Sequence, residues 1–163
     1  MAIKKKFSFE VIVYDSLQEL ESKDDILLLN RAIEARENAY APYSNFKVGA
    51  AVLMENDEIV IGNNQENASY PSGLCAERVA VFHAGAKFPG AKIKTIAISA
   101  ASSKHKVITP AAPCGNCRQA ISEYEFKQKQ PIKLLLMGEV GNVIQCNSIE
   151  DILPLSFNSS FLI

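Results

Sequence analysis

The chain has 163 residues, enough for one domain and short for two independent cores. Its 48% apolar and 21% charged residues match a folded globular chain and exclude disorder, collagen-like repeats and mucin-like sequence as the main state. The formal net charge is −1, so the basic excess of a protein that neutralises nucleic-acid phosphates is missing and no nucleic-acid polymer is expected as partner.

Met1 to Lys6 is basic, and Lys4-Lys5-Lys6 reads as a solvated tail. The segment Phe7 to Tyr14 contains Ser8 and Glu10, too polar for a signal-peptide core, and no run of about 18 apolar residues follows anywhere. No membrane span is expected, and a cytoplasmic location is. Phe7-Ser8-Phe9-Glu10-Val11 alternates and predicts a short strand. Asp24 or Asp25 can cap a helix running to Tyr40, with Ile26, Leu29 and Ile33 on one face, ended by Pro42. Phe46 to Met54 and Ile59 to Ile61 predict a hairpin around Asn56-Asp57. Asn63 to Gly73 reads as a polar loop and Cys75 to Ala86 as an Ala-rich helix.

Lys94 to Ala100 predicts a buried strand, and Ser102 to Pro113 a second loop. A helix is predicted over Cys114 to Phe126, with Ala120, Ile121 and Tyr124 on one face. Ile132 to Met137 and Val143 to Cys146 predict strands, and Ser148 with Asp151 the cap of a last short helix through Leu153. Helices and strands alternate through the middle, while the ends carry hairpins. This predicts an α/β fold with helices on a mixed central sheet.

Two segments carry chemistry: Cys75-Ala76-Glu77-Arg78 and Pro113-Cys114-Gly115-Asn116-Cys117. Each lies where a polar loop enters a predicted helix. Cys114 and Cys117 have the spacing of two thiolate ligands on one zinc ion, and Cys75 can supply a third from the other helix start. Three protein ligands leave one tetrahedral position open, the pattern of a catalytic site. Cys146 can close the site as a fourth ligand, but it falls in a strand away from both helix starts and is the leftover cysteine. Glu77, two residues past Cys75, can reach the metal site without ligating and move a proton between water and substrate. Three thiolates around a divalent cation leave an excess negative charge, which the helix dipoles and hydrogen bonds from Arg78 can offset. His83 and His105 are not counted as ligands.

A His or Cys followed by x-Glu, then Pro-Cys-x-x-Cys, is the signature of zinc deaminases. With these segments the chain resembles the small free-nucleoside cytidine deaminases, in matching order from about Leu27 to Phe157. Phe46-Lys47-Val48-Gly49-Ala50-Ala51 resembles their strand motif, and Asn64-Gln65-Glu66-Asn67-Ala68-Ser69-Tyr70 their ribose-binding loop. Leu153-Pro154-Leu155-Ser156-Phe157 resembles their C-terminal segment. The resemblance implies a three-layer α/β/α sandwich over residues 1–163, with an N-terminal extension of about 25 residues.

It also implies one Zn²⁺ per chain on Cys75, Cys114 and Cys117, with Glu77 as proton shuttle. Asn64 and Glu66 would bind the ribose 3′-hydroxyl, Phe46 would pack on sugar or base, and the backbone of Ala76 would read the pyrimidine edge. A homotetramer is implied, in which Tyr70 and Phe157 enter neighbouring sites. The reaction implied is hydrolytic deamination of cytidine and deoxycytidine in pyrimidine salvage. The sequence departs from the family pattern at Pro71-Ser72-Gly73, at Leu155-Ser156 and before Leu27.

Other readings compete. Cys114 and Cys117 alone could form a redox pair. A fully ligated zinc could stabilise a non-catalytic module, which would have no use for Glu77. A deaminase could act on a modified cytosine nucleoside, a nucleoside antibiotic or, against the charge balance, a polynucleotide.

Overall fold

The structure is a computed structural model and describes residues 1–162. Phe46–Met54 (β2) and Ile59–Asn63 (β3) form the expected hairpin, with Asp57 in the left-handed conformation at φ 65°. Asp is among the residues that adopt this conformation most readily, and the Asp57 carboxylate here accepts from Lys94 Nζ at 2.7 Å. The other strands are β1 (Ile12–Tyr14), β4 (Ile93–Ser102), β5 (Lys133–Met137) and β6 (Val143–Cys146). They join one sheet in the order β1-β6-β5-β4-β2-β3. β4 and β5 are parallel and every other neighbouring pair is antiparallel, which makes the sheet mixed.

The helices are α1 (Lys23–Glu37), α2 (Ala76–Lys87) and α3 (Gly115–Gln128). The central strands are apolar at successive positions because both sheet faces are covered. On one face Leu28, Leu29 and Ala32 of α1 pack on Ala51, Ala97 and Leu135. On the other, Ala76, Ala80 and Ala84 of α2 and Ile121 of α3 pack on Val52, Ile96 and Leu134. This is the three-layer α/β/α arrangement. Glu125 ties the end of α3 to the entry of β5 and to the turn beyond β6. Its buried carboxylate accepts from the backbone N–H groups of Ile132 (2.6 Å) and Ile149 (3.1 Å) and from the Ser148 hydroxyl (2.6 Å).

Several local expectations change. The N-terminal strand is Ile12–Tyr14, not Phe7 to Val11, because only the later residues find a partner, pairing with Val143 to Gln145 of β6. Ser22, not Asp24 or Asp25, caps α1 by accepting from Asp25 N–H, and α1 stops at Glu37 rather than Tyr40. Its buried face is Leu28, Leu29, Ala32, Ala35 and Arg36, with Ile26 and Ile33 only flanking it. Asp25 is also buried and is paired at 2.6 Å with Lys133. β3 continues to Asn63, and the loop beyond it holds a 3₁₀ turn at Tyr70–Ser72. The last predicted helix is a 3₁₀ turn, Ile149–Asp151, closed by the reciprocal Ser148–Asp151 capping box.

Two glycines let helices approach the sheet closely. A Cβ on Gly49 would run into the Ala32 carbonyl and the Arg36 backbone of α1. A Cβ on Gly62 would lie 2.5 Å from Ala80 N and 2.9 Å from Ala76 O of α2. Both obstacles are backbone, so no rotamer change relieves them. Gly62→Ala should therefore destabilise the protein by about 2 kcal/mol or more, the cost of overpacking a filled interface. Chemical denaturation of the purified variant measures this, and wild-type stability would mean that α2 can retreat from the sheet freely.

Candidate active site and metal centre

β3 and β4 both run antiparallel to β2, so they point the same way and end at one edge of the sheet. α2 follows β3 and α3 follows β4, so both helices start at that edge. Carboxyl ends of strands are where open α/β sheets place their ligands. Cys75 is the N-cap residue of α2 and Cys114 that of α3, both with extended backbone. Neither side chain caps its own helix, which leaves both sulfurs available to an outside partner. Cys117 projects from the first turn of α3 and is buried.

The sulfurs of Cys75, Cys114 and Cys117 lie within 4.8 Å of one another, and those of Cys114 and Cys117 are 3.6 Å apart. Two sulfurs bound tetrahedrally at a Zn–S distance near 2.3 Å would be about 3.8 Å apart. The donor set therefore fits zinc. An orphaned donor gives a second sign of fit. Arg78 stands beside the sulfurs, and among the described residues its buried Nε has no hydrogen-bond partner. A thiolate-rich metal site supplies the acceptor this nitrogen lacks. Burial works against the Arg78 charge, but hydrogen bonding to Cys75 and the charge there outweigh it and raise its pKa.

Hydrogen bonding to the Cys117 thiol pulls Cys75 down to about 5; burial opposes this, and the Arg78 guanidinium adds to it. Cys117 moves the opposite way, raised by holding the proton shared with Cys75 and by burial. Glu77 is 5% exposed at the start of α2. Burial raises its pKa, and the negative charge of Cys75 raises it further, against hydrogen bonds from its own backbone N–H and from the Cys117 thiol.

Beside this cluster lies a cleft of about 420 Å³ lined by Tyr43, Asn64, Glu66, Tyr70, Cys75 and Arg78, among others. The Tyr43 and Tyr70 rings are 6.1 Å apart and tilted by 56°. Glu66 accepts from the backbone N–H groups of Tyr43 (2.9 Å) and Ser44 (3.2 Å) and from the Ser44 hydroxyl. Asn64 is fastened to β2, where it accepts from Val48 N–H (2.8 Å) and donates to the Phe46 carbonyl (3.0 Å).

The two proposed ribose ligands thus shape the cleft wall through the protein itself. Tyr43 and Ser44, not singled out from sequence, belong to that wall; their position just before Phe46 was the available signal. Phe46 begins β2 and Ala76 is buried in the first turn of α2, and neither lines this cleft. Phe157 is 56% exposed and stacks on Phe161 at 5.5 Å, also outside the cleft within one chain. Cys146 lies in β6, buried opposite Leu134, and takes no part in the sulfur cluster. His83 and His105 are exposed.

Residues 22–130 match the family model for the zinc-binding region of cytidine and deoxycytidylate deaminases. A cytidine deaminase of Halalkalibacterium halodurans is 36% identical over 136 residues, which cover 83% of this chain and 96% of the relative. The crystal structure of cytidine deaminase from Burkholderia pseudomallei superposes with a TM-score of 0.70 at 41% identity, covering 80% of this chain and 97% of that one. The cytidine deaminase of Mycobacterium tuberculosis superposes with a TM-score of 0.64 at 28% identity, covering 83% and 98%.

The Glu66 clasp gives a pH test. Slight burial raises the carboxyl pKa, but the Ser44 hydroxyl and the two backbone donors lower it more, and the net shift is downward. The stability it contributes is present above the ordinary carboxylate value and is lost as pH falls through the lowered folded value. Glu66→Gln should melt below wild type at neutral pH, and the two melting curves should converge in acid. A gap between them that does not change with pH would refute the clasp.

Proposed function

Because the chain belongs to the family of deaminases defined by the cytidine and deoxycytidylate deaminase zinc-binding region, we propose that it hydrolyses the 4-amino group of cytidine and deoxycytidine. The products are uridine or deoxyuridine and ammonia, a step of pyrimidine salvage. One observation carries this reading. Three cysteine sulfurs converge within 4.8 Å at two helix starts, with Glu77 two residues past the first of them and a cleft of nucleoside scale alongside. A redox pair would need only Cys114 and Cys117, and a closed zinc module would need no buried acid. Both fit the site less well.

Cys75, Cys114 and Cys117 would hold the zinc ion. When bound, zinc supplies Lewis acidity that brings the pKa of water toward about 7. Glu77 then acts as the proton carrier. Its carboxylate takes a proton from the attacking water and gives it to ring N3, so that oxygen can bond to C4. The carboxylate then takes the proton of the new C4 hydroxyl and delivers it to the 4-amino group; the C4–N bond breaks, ammonia leaves and the C4 oxygen becomes the carbonyl of the product. Arg78 offsets the negative charge of the sulfurs. The Ala76 backbone would read the pyrimidine edge, and Asn64 and Glu66, with Tyr43 and Ser44 beside them, would form the sugar end of the cleft. Glu77→Gln should keep its zinc and melting temperature while kcat falls about 10²–10⁴-fold, followed by the absorbance change on adding cytidine. Near-normal turnover by this variant would remove Glu77 from the mechanism.

The whole chain is read as one deaminase domain over residues 1–163, with the N-terminal residues as an extension to it. Assembly into a homotetramer belongs to the same proposal and is supported by exposed aromatics. Tyr70 is 76% exposed at the cleft rim, and Phe157 and Phe161 present a stacked pair to solvent. Phe157, which lies outside the cleft of its own chain, would complete a neighbour's site only across such contacts, as Tyr70 would from the cleft rim. Free thiol ligands need a reducing compartment, which supports a cytoplasmic location. Among the described residues no helix is long and apolar enough to cross a membrane. Sedimentation velocity on the zinc-loaded protein should give a species of four chains, and a monomer at assay concentration would refute the shared site.

A further inference from the structure

We infer that Arg118 is a positioning residue for the metal ligand Cys114, held for that role by its bond to the C-terminal segment. Arg118 is the residue after Cys117 and reaches back to both peptide groups that flank Cys114. Its backbone N–H donates to the Cys114 carbonyl at 2.9 Å, on the C-terminal side of that residue. Its Nε donates to the Pro113 carbonyl at 2.7 Å, on the N-terminal side. With both peptide planes held, the Cys114 backbone is fixed at φ −66°, ψ 167°, and with it the direction in which the side chain leaves the chain. Cys114 is exposed, so surrounding packing does little to hold it.

The guanidinium would be a loose clamp if it were free at its far end, and it is not. Nη1 donates to the Ile152 carbonyl at 2.6 Å, just beyond the 3₁₀ turn Ile149–Asp151. The next residue on α3, Gln119, donates from Nε2 to the Phe157 carbonyl at 2.8 Å. Two consecutive residues near the start of α3 therefore hold the carbonyls of Ile152 and Phe157. The segment that ends in Phe157 and the loop that carries Cys114 share one brace.

This inference rests on zinc being held by Cys114. The test uses the purified full-length protein loaded with cobalt(II), whose thiolate charge-transfer bands report the sulfur ligands directly, and with zinc, whose release to a chromogenic chelator gives a rate. Wild type should display the thiolate bands at one metal ion per chain. If it does not, the metal-site reading itself fails, and the failure is visible before any variant is compared.

Arg118→Met removes both side-chain bonds and should speed metal release roughly 10-fold to 100-fold, the usual cost of losing a group that orients a ligand. Arg118→Lys can reach one carbonyl but not both and should fall between Met and wild type. Gln119→Ala leaves Cys114 clamped and should release metal at the wild-type rate. Wild-type release from both Arg118 variants would overturn the positioning role. So would variants that aggregate with or without metal, since that outcome makes Arg118 a general folding residue.

Discussion

The site depends on a topological constraint: two strands that flank β2 and oppose it must point the same way. Each is followed by a helix, so two helix starts meet at one edge of the sheet. Cysteines far apart in sequence thereby reach within 4.8 Å. Bringing three sulfurs together is unfavourable once they ionise, and the fold supplies the compensation locally. The helix starts carry partial positive charge, and Arg78 stands beside the sulfurs. An unfolded chain would have to close the loop between Cys75 and Cys114 to bind the same ion, so metal affinity and folding are one equilibrium.

The cleft wall is held by backbone hydrogen bonds of its own. Tyr40 N–H donates to the Asn64 carbonyl at 3.0 Å, and Glu66 N–H to the Tyr40 carbonyl at 2.9 Å. Gln65 and Leu74 exchange backbone bonds at 2.9 and 3.0 Å, which closes the loop directly before Cys75. The polar stretch after β3 is therefore pinned at both ends. Its Asn and Glu side chains are spent on the end of the preceding loop and on β2. The site takes its shape from these bonds before any ligand arrives. The close approach at Gly62 fixes α2, and Cys75 with it, against the same strand.

Much of this was legible in the sequence because its signals are local. Cys75-Ala76-Glu77 and Pro113 to Cys117 announce helix starts with ligands at fixed spacing, and the strands from Phe46 and Ile132 are long apolar runs. The misreadings have a common cause in distant partners. Phe7 to Val11 alternates well, yet β6 offers its edge to Ile12–Tyr14 instead. On α1 the bulky Ile26 and Ile33 suggest the buried face, but Ala32, Ala35 and Arg36 take it. Gly49 brings the helix backbone against the sheet there, and small residues fill so narrow a gap. Arg36 is buried because its Nη1 finds the Ser99 hydroxyl at 2.9 Å, sixty-three positions away. Arg118 was invisible for the same reason, since one of its partners is the carbonyl of Ile152.

Glu77 and Arg78 are adjacent in sequence and face opposite electrostatic demands. The first turn of α2 separates them, with Glu77 turned into the buried interior and Arg78 partly open to the cleft. Burial and the Cys75 charge both favour the protonated form of Glu77. Arg78 pulls Glu77 the other way, toward the carboxylate that can accept a proton. The carrier role proposed for Glu77 requires loading and unloading within one reaction, and a group driven hard to either form could do only half of that. The two opposing influences act on one carboxyl because the helix start that supplies Cys75 places Glu77 and Arg78 together beside the sulfurs.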